Sequence, residues 1–199
     1  MKIHIASSRD EEIGALCKEY ARSAIPPKFS LVEDPDDCDI FISILYDSLV
    51  SQDFISSKKR CINFHPGVLP DYRGSGAYSW ALINKEKETG VTVHEMDCGI
   101  DSGAIIEVRK TIIYPGDTAE SLFTRCMMLL YVMFRDHFYN IIYGTYSLRP
   151  NEGGHLYFRK DLEEAKDITH IIRAFTFTGK ESCYYYDNNG NKQYIKLET

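Results

Sequence analysis

The 199-residue sequence has no block of Lys or Arg, no C-x-x-C pair, and no apolar run longer than Cys126 to Phe134, which is closed by Arg125 and Arg135. Each absence removes a class of function. The 23 Lys and Arg against 29 Asp and Glu leave a formal net charge of -6, spread along the chain. No surface built to neutralise phosphates is expected, which argues against nucleic acid as a partner. Six cysteines (17, 38, 61, 98, 126 and 183) are scattered, with no tight Cys/His cluster. A reduced compartment and no metal site are the expectation. The apolar run is far short of the roughly 20 residues that cross a bilayer, so no membrane partner is expected. A strand, Lys2 to Ala6, opens the sequence in place of the basic and apolar regions of a signal peptide, so the expected location is cytoplasmic.

The composition is 44% hydrophobic, enough for one domain, alone or with a small appendage. Strand-like runs at 2–6, 28–32, 39–44 and 60–64 alternate with helical segments at about 10–23 and 48–57. That alternation argues for an α/β fold around a mostly parallel sheet. Ser75 to Glu86 has helical spacing and Gly90 is the expected stop before a strand at 91–97. Another strand is expected at 104–113. Asp117-Thr118-Ala119-Glu120 then resembles a capping box that opens a long helix ending near Gly144. The Met and aromatic stripe of that helix is read as core, because apolar residues at helical spacing normally mark the buried face.

The pattern changes after Pro150, so residues 1–150 are read as the catalytic domain and 151–199 as an extension with a short helix near 161–173. Asn189-Gly190 lies between alternating tyrosine-containing runs and signals a β-hairpin. A tyrosine-rich hairpin either packs on its own domain or forms a subunit contact, and a homodimer through this region is the second of those readings.

Asn63 and His65 are two apart, so on a strand their side chains leave the same face. Pro66, Gly67 and Pro70 break that strand at once, which places both polar groups where strand becomes loop. Asp101 lies further on in the loop Gly99-Ile100-Asp101-Ser102-Gly103. A lone His in a core-rich region is more often a satisfied packing residue than a catalytic one. An amide, an imidazole and a carboxylate together supply an oxyanion donor, an acid or base, and its orienter. That set suits acyl transfer. No serine or cysteine nearby is placed as a nucleophile, Cys61 being a strand residue of the inert kind, so direct attack by the acceptor is expected. His4 and His137 read as packing residues. Asp97 has the position of an Asx turn.

At these positions the sequence resembles the formyltransferases that use 10-formyltetrahydrofolate. The resemblance rests on Asn63-x-His65, Gly67-Val68-Leu69-Pro70 with Tyr72-Arg73-Gly74, Trp80, Gly90-Val91-Thr92-Val93-His94 and Asp101-Ser102-Gly103. It is strong over 60–115 and continues weakly through Gly153 to Lys160 and Ile172 to Phe175, features similar to the sugar-nucleotide branch. The resemblance implies a Rossmann-like sheet. It further implies that Asn63 and a protonated His65 stabilise a tetrahedral oxyanion while Asp101 holds His65 and helps deprotonate the attacking amine. Folate would lie against Gly67, Val68, Leu69, Pro70 and Asp97 and the segment of Ile44, Tyr46 and Leu49. Tyr72 and Arg73 are read as shaping the loop and His94 as structural, with a place on the substrate side as the alternative for all three.

The N-terminal half is shorter than the resemblance implies, by one strand-helix unit. Ala6-Ser7-Ser8-Arg9-Asp10 lacks the glycine-rich phosphate loop of glycinamide ribonucleotide formyltransferases, and the large basic domain of methionyl-tRNA formyltransferases has no counterpart before Thr199. The leading expectation is formyl transfer to an amino sugar carried on a nucleotide. Glycinamide ribonucleotide as acceptor, hydrolysis of formyltetrahydrofolate, and a catalytically silent folate or nucleotide binder are the alternatives.

Overall fold

The computed structural model describes residues 1–8, 12–158, 168–179, 184–186 and 189–194. In chain order the elements are β1 (Lys2–Ala6), α1 (Ile13–Ala24), β2 (Ser30–Leu31), β3 (Ile40–Ile44), α2 (Gln52–Ser57), β4 (Arg60–His65), β5 (Tyr72–Gly74) and α3 (Ala77–Ile83). They continue with β6 (Glu88–Glu95), β7 (Ile105–Ile112), α4 (Ala119–Tyr143), β8 (His155–Tyr157), α5 (Ile168–Phe175), β9 (Tyr184–Tyr186) and β10 (Lys192–Tyr194).

The central sheet has the order β2-β1-β3-β4-β6-β7. Its first four strands are parallel, while β6 and β7 are antiparallel additions. This is the mostly parallel α/β sheet that the alternating pattern predicts. All five residues of β3 are buried, as a central strand covered on both faces requires.

Strand periodicity divides the sheet into two unlike faces. On one, Ile3, Ile5, Ile42, Ile44, Ile62, Phe64, Val91 and Val93 join a core with α1 and α4. The apolar residues of α1 that enter it, Ile13, Cys17 and Ala21, recur every fourth position. Those of α4 include Cys126, Leu130, Met133, Phe134, Phe138 and Ile141, so its Met and aromatic stripe is core. Phe64 and Phe134 meet edge to face at 5.6 Å, both essentially inaccessible. The other face carries Phe41 and Cys61 under α2, and beside them a row of polar residues.

The structure moves several boundaries. α3 ends at Ile83, and β6 begins at Glu88, so Gly90 lies inside the strand and does not stop the helix. The turn is made by Lys85, at φ 58. A Cβ on Gly90 would lie 2.0 Å from Arg109 O, so the glycine serves close strand approach across β6 and β7. The cap of α4 is one residue later than expected: Thr118 and Ser121 form the reciprocal box. Asp117 instead accepts from Tyr114 N and the Ser121 hydroxyl and binds Arg125, at 2.7 Å from its Nη2. Gly144, at φ 70, closes the helix as expected.

The short parallel pair of β5 and β8 has no signal in the sequence, since three residues are too few for alternation to show. In the C-terminal region, α5 runs later than the expected 161–173, and residues 161–167 lie outside the described residues. Ala174 of α5 packs with Leu82, Ala119 and Leu122. β9 and β10 form the expected antiparallel hairpin around Asn189-Gly190, with 187 and 188 outside the described residues. Among the described residues no helix is long and apolar enough to cross a membrane, and no three His, Cys, Asp or Glu are grouped to hold a metal ion.

Candidate active site

Cα pairing sets Ser43 of β3 opposite Asn63 of β4, and Asn63 opposite His94 of β6. The three side chains therefore stand in one lateral row on the polar face of the sheet. The Ser43 hydroxyl donates to Asn63 Oδ1 at 2.8 Å, which fixes which way the amide points. His94 Nδ1 donates to the carbonyl of Glu95 at 2.6 Å. In the neutral ring that leaves Nε2 to accept from Asn63 Nδ2 at 3.1 Å. The same Nδ2 donates to Asp101 Oδ1 at 3.1 Å. Both amide protons of Asn63 are thus engaged.

His65, two residues along β4, lies on the same face and is 3% exposed. Its Nε2 is 2.7 Å from the carbonyl of Tyr72, a pure acceptor, so Nε2 carries the proton. Its Nδ1 faces Asp101 Oδ2 at 3.3 Å. Burial pushes the His65 pKa below its ordinary value, with Asp101 opposing and His94 adding to the shift. For Asp101 burial acts to raise the pKa, but His65, His94 and the Gly74 N–H outweigh it and hold the carboxyl below its ordinary range. Both ring nitrogens of His65 face acceptor oxygens, a pair that only the imidazolium satisfies, since a ring protonated on Nε2 alone would turn a bare lone pair toward the carboxylate. Burial thus works against the imidazolium that the resemblance implies, and Asp101 works for it.

Asp101 sits at φ 48, in the left-handed region, which costs a non-glycine residue about 1 kcal/mol or more and is tolerated best by Asp and Asn. Its Oδ2 accepts Gly74 N at 2.8 Å. Behind the loop, Asn151 donates to the carbonyls of Asp101 and Gly103 at 3.0 and 2.8 Å. Asn63, His65 and Asp101 are therefore brought together, joined by His94.

The loop 67–70 is pinned from below. Thr92, fully buried, donates to Gly67 O at 2.7 Å and accepts Leu69 N at 3.1 Å. A Cβ on Gly67 would lie 2.5 Å from His65 Nε2 and 2.7 Å from Tyr72 O, so only glycine fits. Val68 packs with Tyr72, Ala77 and Ala81, Leu69 is buried, and the Leu69–Pro70 bond is cis.

The other sequence-predicted residues are placed variously. Ile44 is buried in the core opposite the site, so only its main chain can face a ligand. Tyr46 and Leu49 lie beyond the end of β3, Leu49 at 89% exposure. Asp97 accepts Gly99 N and the Ser102 hydroxyl, as an Asx turn does. The Tyr72 hydroxyl is engaged with Glu86 and Asn84, and its ring stacks on Tyr157 at 5.2 Å. Arg73 Nη2 donates to Asn151 O at 2.8 Å.

Ser43 and Asn151 are absent from the sequence analysis, and Thr92 stands there only inside the resembling motif, with no role of its own. Alternation sets Ser43, one residue before the end of β3, on the face away from Ile42 and Ile44, and Thr92 stands two before His94 in the resembling motif. Asn151 had no local signal.

A family profile described as "Formyl transferase" matches residues 14–131. A GDP-perosamine N-formyltransferase of Brucella melitensis is 43% identical over 90 residues, covering 45% of this chain and 35% of that protein, so the match spans far less than the relative's whole length. A sugar N-formyltransferase structure from Shewanella superposes at TM-score 0.80 with 21% identity, over 99% of this chain and 97% of that one. The N-formyltransferase of Helicobacter canadensis, solved with folinic acid and dTDP-3-aminofucose, gives TM-score 0.74 at 22% identity, over 88% and 80%. The fold is shared with both structures, and the family match covers more than half of the sequence: the chain belongs to the formyl transferase family.

Proposed function

We propose that this protein transfers a formyl group from 10-formyltetrahydrofolate to the amine of a nucleotide-linked amino sugar. The observation that carries the reading is the meeting of Asn63, His65 and Asp101 at the end of β4, in a chain of the formyl transferase family. The sugar acceptor is supported by the Brucella relative, which is named for GDP-perosamine, and by the dTDP-3-aminofucose held by the Helicobacter protein. That protein's folinic acid supports a formyl-folate donor. The exposed apolar side chains of Tyr46 and Leu49 fit a flat ring, with the main chain at Ile44 and the pinned loop 67–70 beside them. When bound, the donor supplies the activated formyl carbon.

The chain's own residues then divide the work. The ionised Asp101 would accept the proton of the attacking amine, directly or through water, as the new C–N bond forms; the bond broken in exchange is the one from the formyl carbon to the tetrahydrofolate nitrogen, which would leave with a proton. Asn63 Nδ2 donates to the developing oxyanion. Since both of its protons are engaged, donation requires exchange of one partner, and a ring nitrogen such as His94 Nε2 is a weaker acceptor than the Asp101 carboxylate. His65, anchored by its Nε2–H bond to Tyr72 O, holds Asp101 from the other side in its protonated form, through Nδ1–H. The reading includes a homodimer through the C-terminal hairpin, where Tyr194 is 52% exposed; sedimentation equilibrium tests it.

The direct test incubates the protein with 10-formyltetrahydrofolate and a panel of dTDP-, GDP- and UDP-linked amino sugars, with mass spectrometry for a product heavier by one formyl group. Formate release without any acceptor separates hydrolysis from transfer. Absence of both activities refutes the reading.

A further inference from the structure

The segment from Arg149 to Tyr157 crosses both loops of the site. Arg149 and Ile105 exchange two backbone hydrogen bonds at 2.9 Å, just after the loop that carries Asp101. β8 then pairs in parallel with Tyr72, Arg73 and Gly74 of the other loop. Between these two attachments stands Asn151, 8% exposed. Its side-chain amide has two protons, and both go to main-chain oxygens of the Asp101 loop, those of Asp101 and Gly103. Its own carbonyl accepts Arg73 Nη2 at 2.8 Å, with Oδ1 at 3.5 Å from the same nitrogen. Arg73 is flanked by Tyr72, whose carbonyl accepts from His65, and by Gly74, whose N–H binds the Asp101 carboxylate.

We infer that Asn151 is a positioning residue for the reaction: by donating to both carbonyls it holds Asp101 in its left-handed conformation, and through Arg73 it keeps that loop in register with Gly74 and His65. The inference rests on the formyl-transfer reading for its kinetic consequence, though not for its structural one. A carbonyl pair recognised by two N–H donors demands an amide. Aspartate has the same shape but no proton to give, and would set a carboxylate against two carbonyl oxygens. Packing alone would tolerate that exchange, whereas the clamp does not.

The test compares Asn151→Ala, Asn151→Asp and, as a control on the same strap, the exposed Glu152→Ala. For Asn151→Ala the expected result is a fall in kcat of about tenfold or more with KM within about threefold, since a buried residue that touches no substrate acts on the chemical step. Asn151→Asp falls further than Asn151→Ala, and Glu152→Ala matches wild type. Hydrogen exchange supplies a readout independent of turnover: the Gly74 amide exchanges at least about tenfold faster in both Asn151 variants, because its acceptor has moved, while amides of β1 and β3 keep their protection. Retained protection there also certifies the fold. Wild-type kcat in Asn151→Asp, or unchanged exchange at Gly74, overturns the inference. A wild-type protein without formyl transfer defeats the functional reading alone, and the exchange experiment still decides the clamp.

Discussion

Replacing Asp101 by Asn removes one charge and almost no volume, and asparagine tolerates the φ of 48 as well as aspartate does. The change therefore tests hydrogen bonding without altering backbone strain. Asp101 accepts Asn63 Nδ2 at one oxygen and Gly74 N at the other, and its side chain is 13% exposed. An amide can offer an oxygen to only one of these donors, and its NH2 must face the other. One charge-assisted bond, worth about 1.5–3 kcal/mol, is lost and a buried donor is left unmatched, so the net destabilisation is about 3 kcal/mol. In a chain of 199 residues that lowers Tm by roughly 6–12 °C. The loss depends on pH in a definite sense. The folded carboxyl titrates below its ordinary 3.8, so its stabilisation is complete above that value and disappears as pH falls towards the folded pKa. The Tm gap between wild type and Asp101→Asn should be constant from about pH 6 to 8 and narrow below about pH 4. Formyl transfer should fall by about 10³-fold, because no carboxylate remains to take the amine's proton. A variant that melts within about 2 °C of wild type at pH 7 refutes the hydrogen-bond account. One that retains more than about a tenth of the activity refutes the assigned role.

Asn63→Ala and His65→Ala should each reduce kcat by about 10²-fold or more in steady-state assays while circular dichroism stays native, and near-normal rates in both would mean that the chemistry lies elsewhere. Gly67→Ala should lower Tm and activity together, because the new methyl must displace either His65 or the Tyr72 carbonyl. A stable, active Gly67→Ala protein would show that the loop relaxes freely.

Local patterns carried much of the architecture. Asn63 and His65 share a face because a strand repeats every two residues, and the spacing from Leu122 to Ile141 marks the buried side of α4 because a helix repeats every 3.6. Punctuation was less reliable where two residue types compete. Asp117 and Thr118 are both good caps, and Arg125, a full two turns away, decides between them by taking the carboxylate. Gly90 looked like a helix stop, yet its purpose is set by β7, which no window around residue 90 contains. The same reason hid Ser43 and Asn151. Their meaning lies in a partner 20 or about 50 residues away, so only the folded register reveals it.

The lateral row of Ser43, Asn63 and His94 makes the site a cross-section of the sheet, one residue deep and three strands wide. A slip of β3 by a single residue would set Ile42 or Ile44 beside Asn63 and turn the apolar face of that strand away from its helices. The core and the chemistry thus read the same alignment from opposite sides of one strand. A chain that has paired its strands correctly has, by that act, already assembled the row.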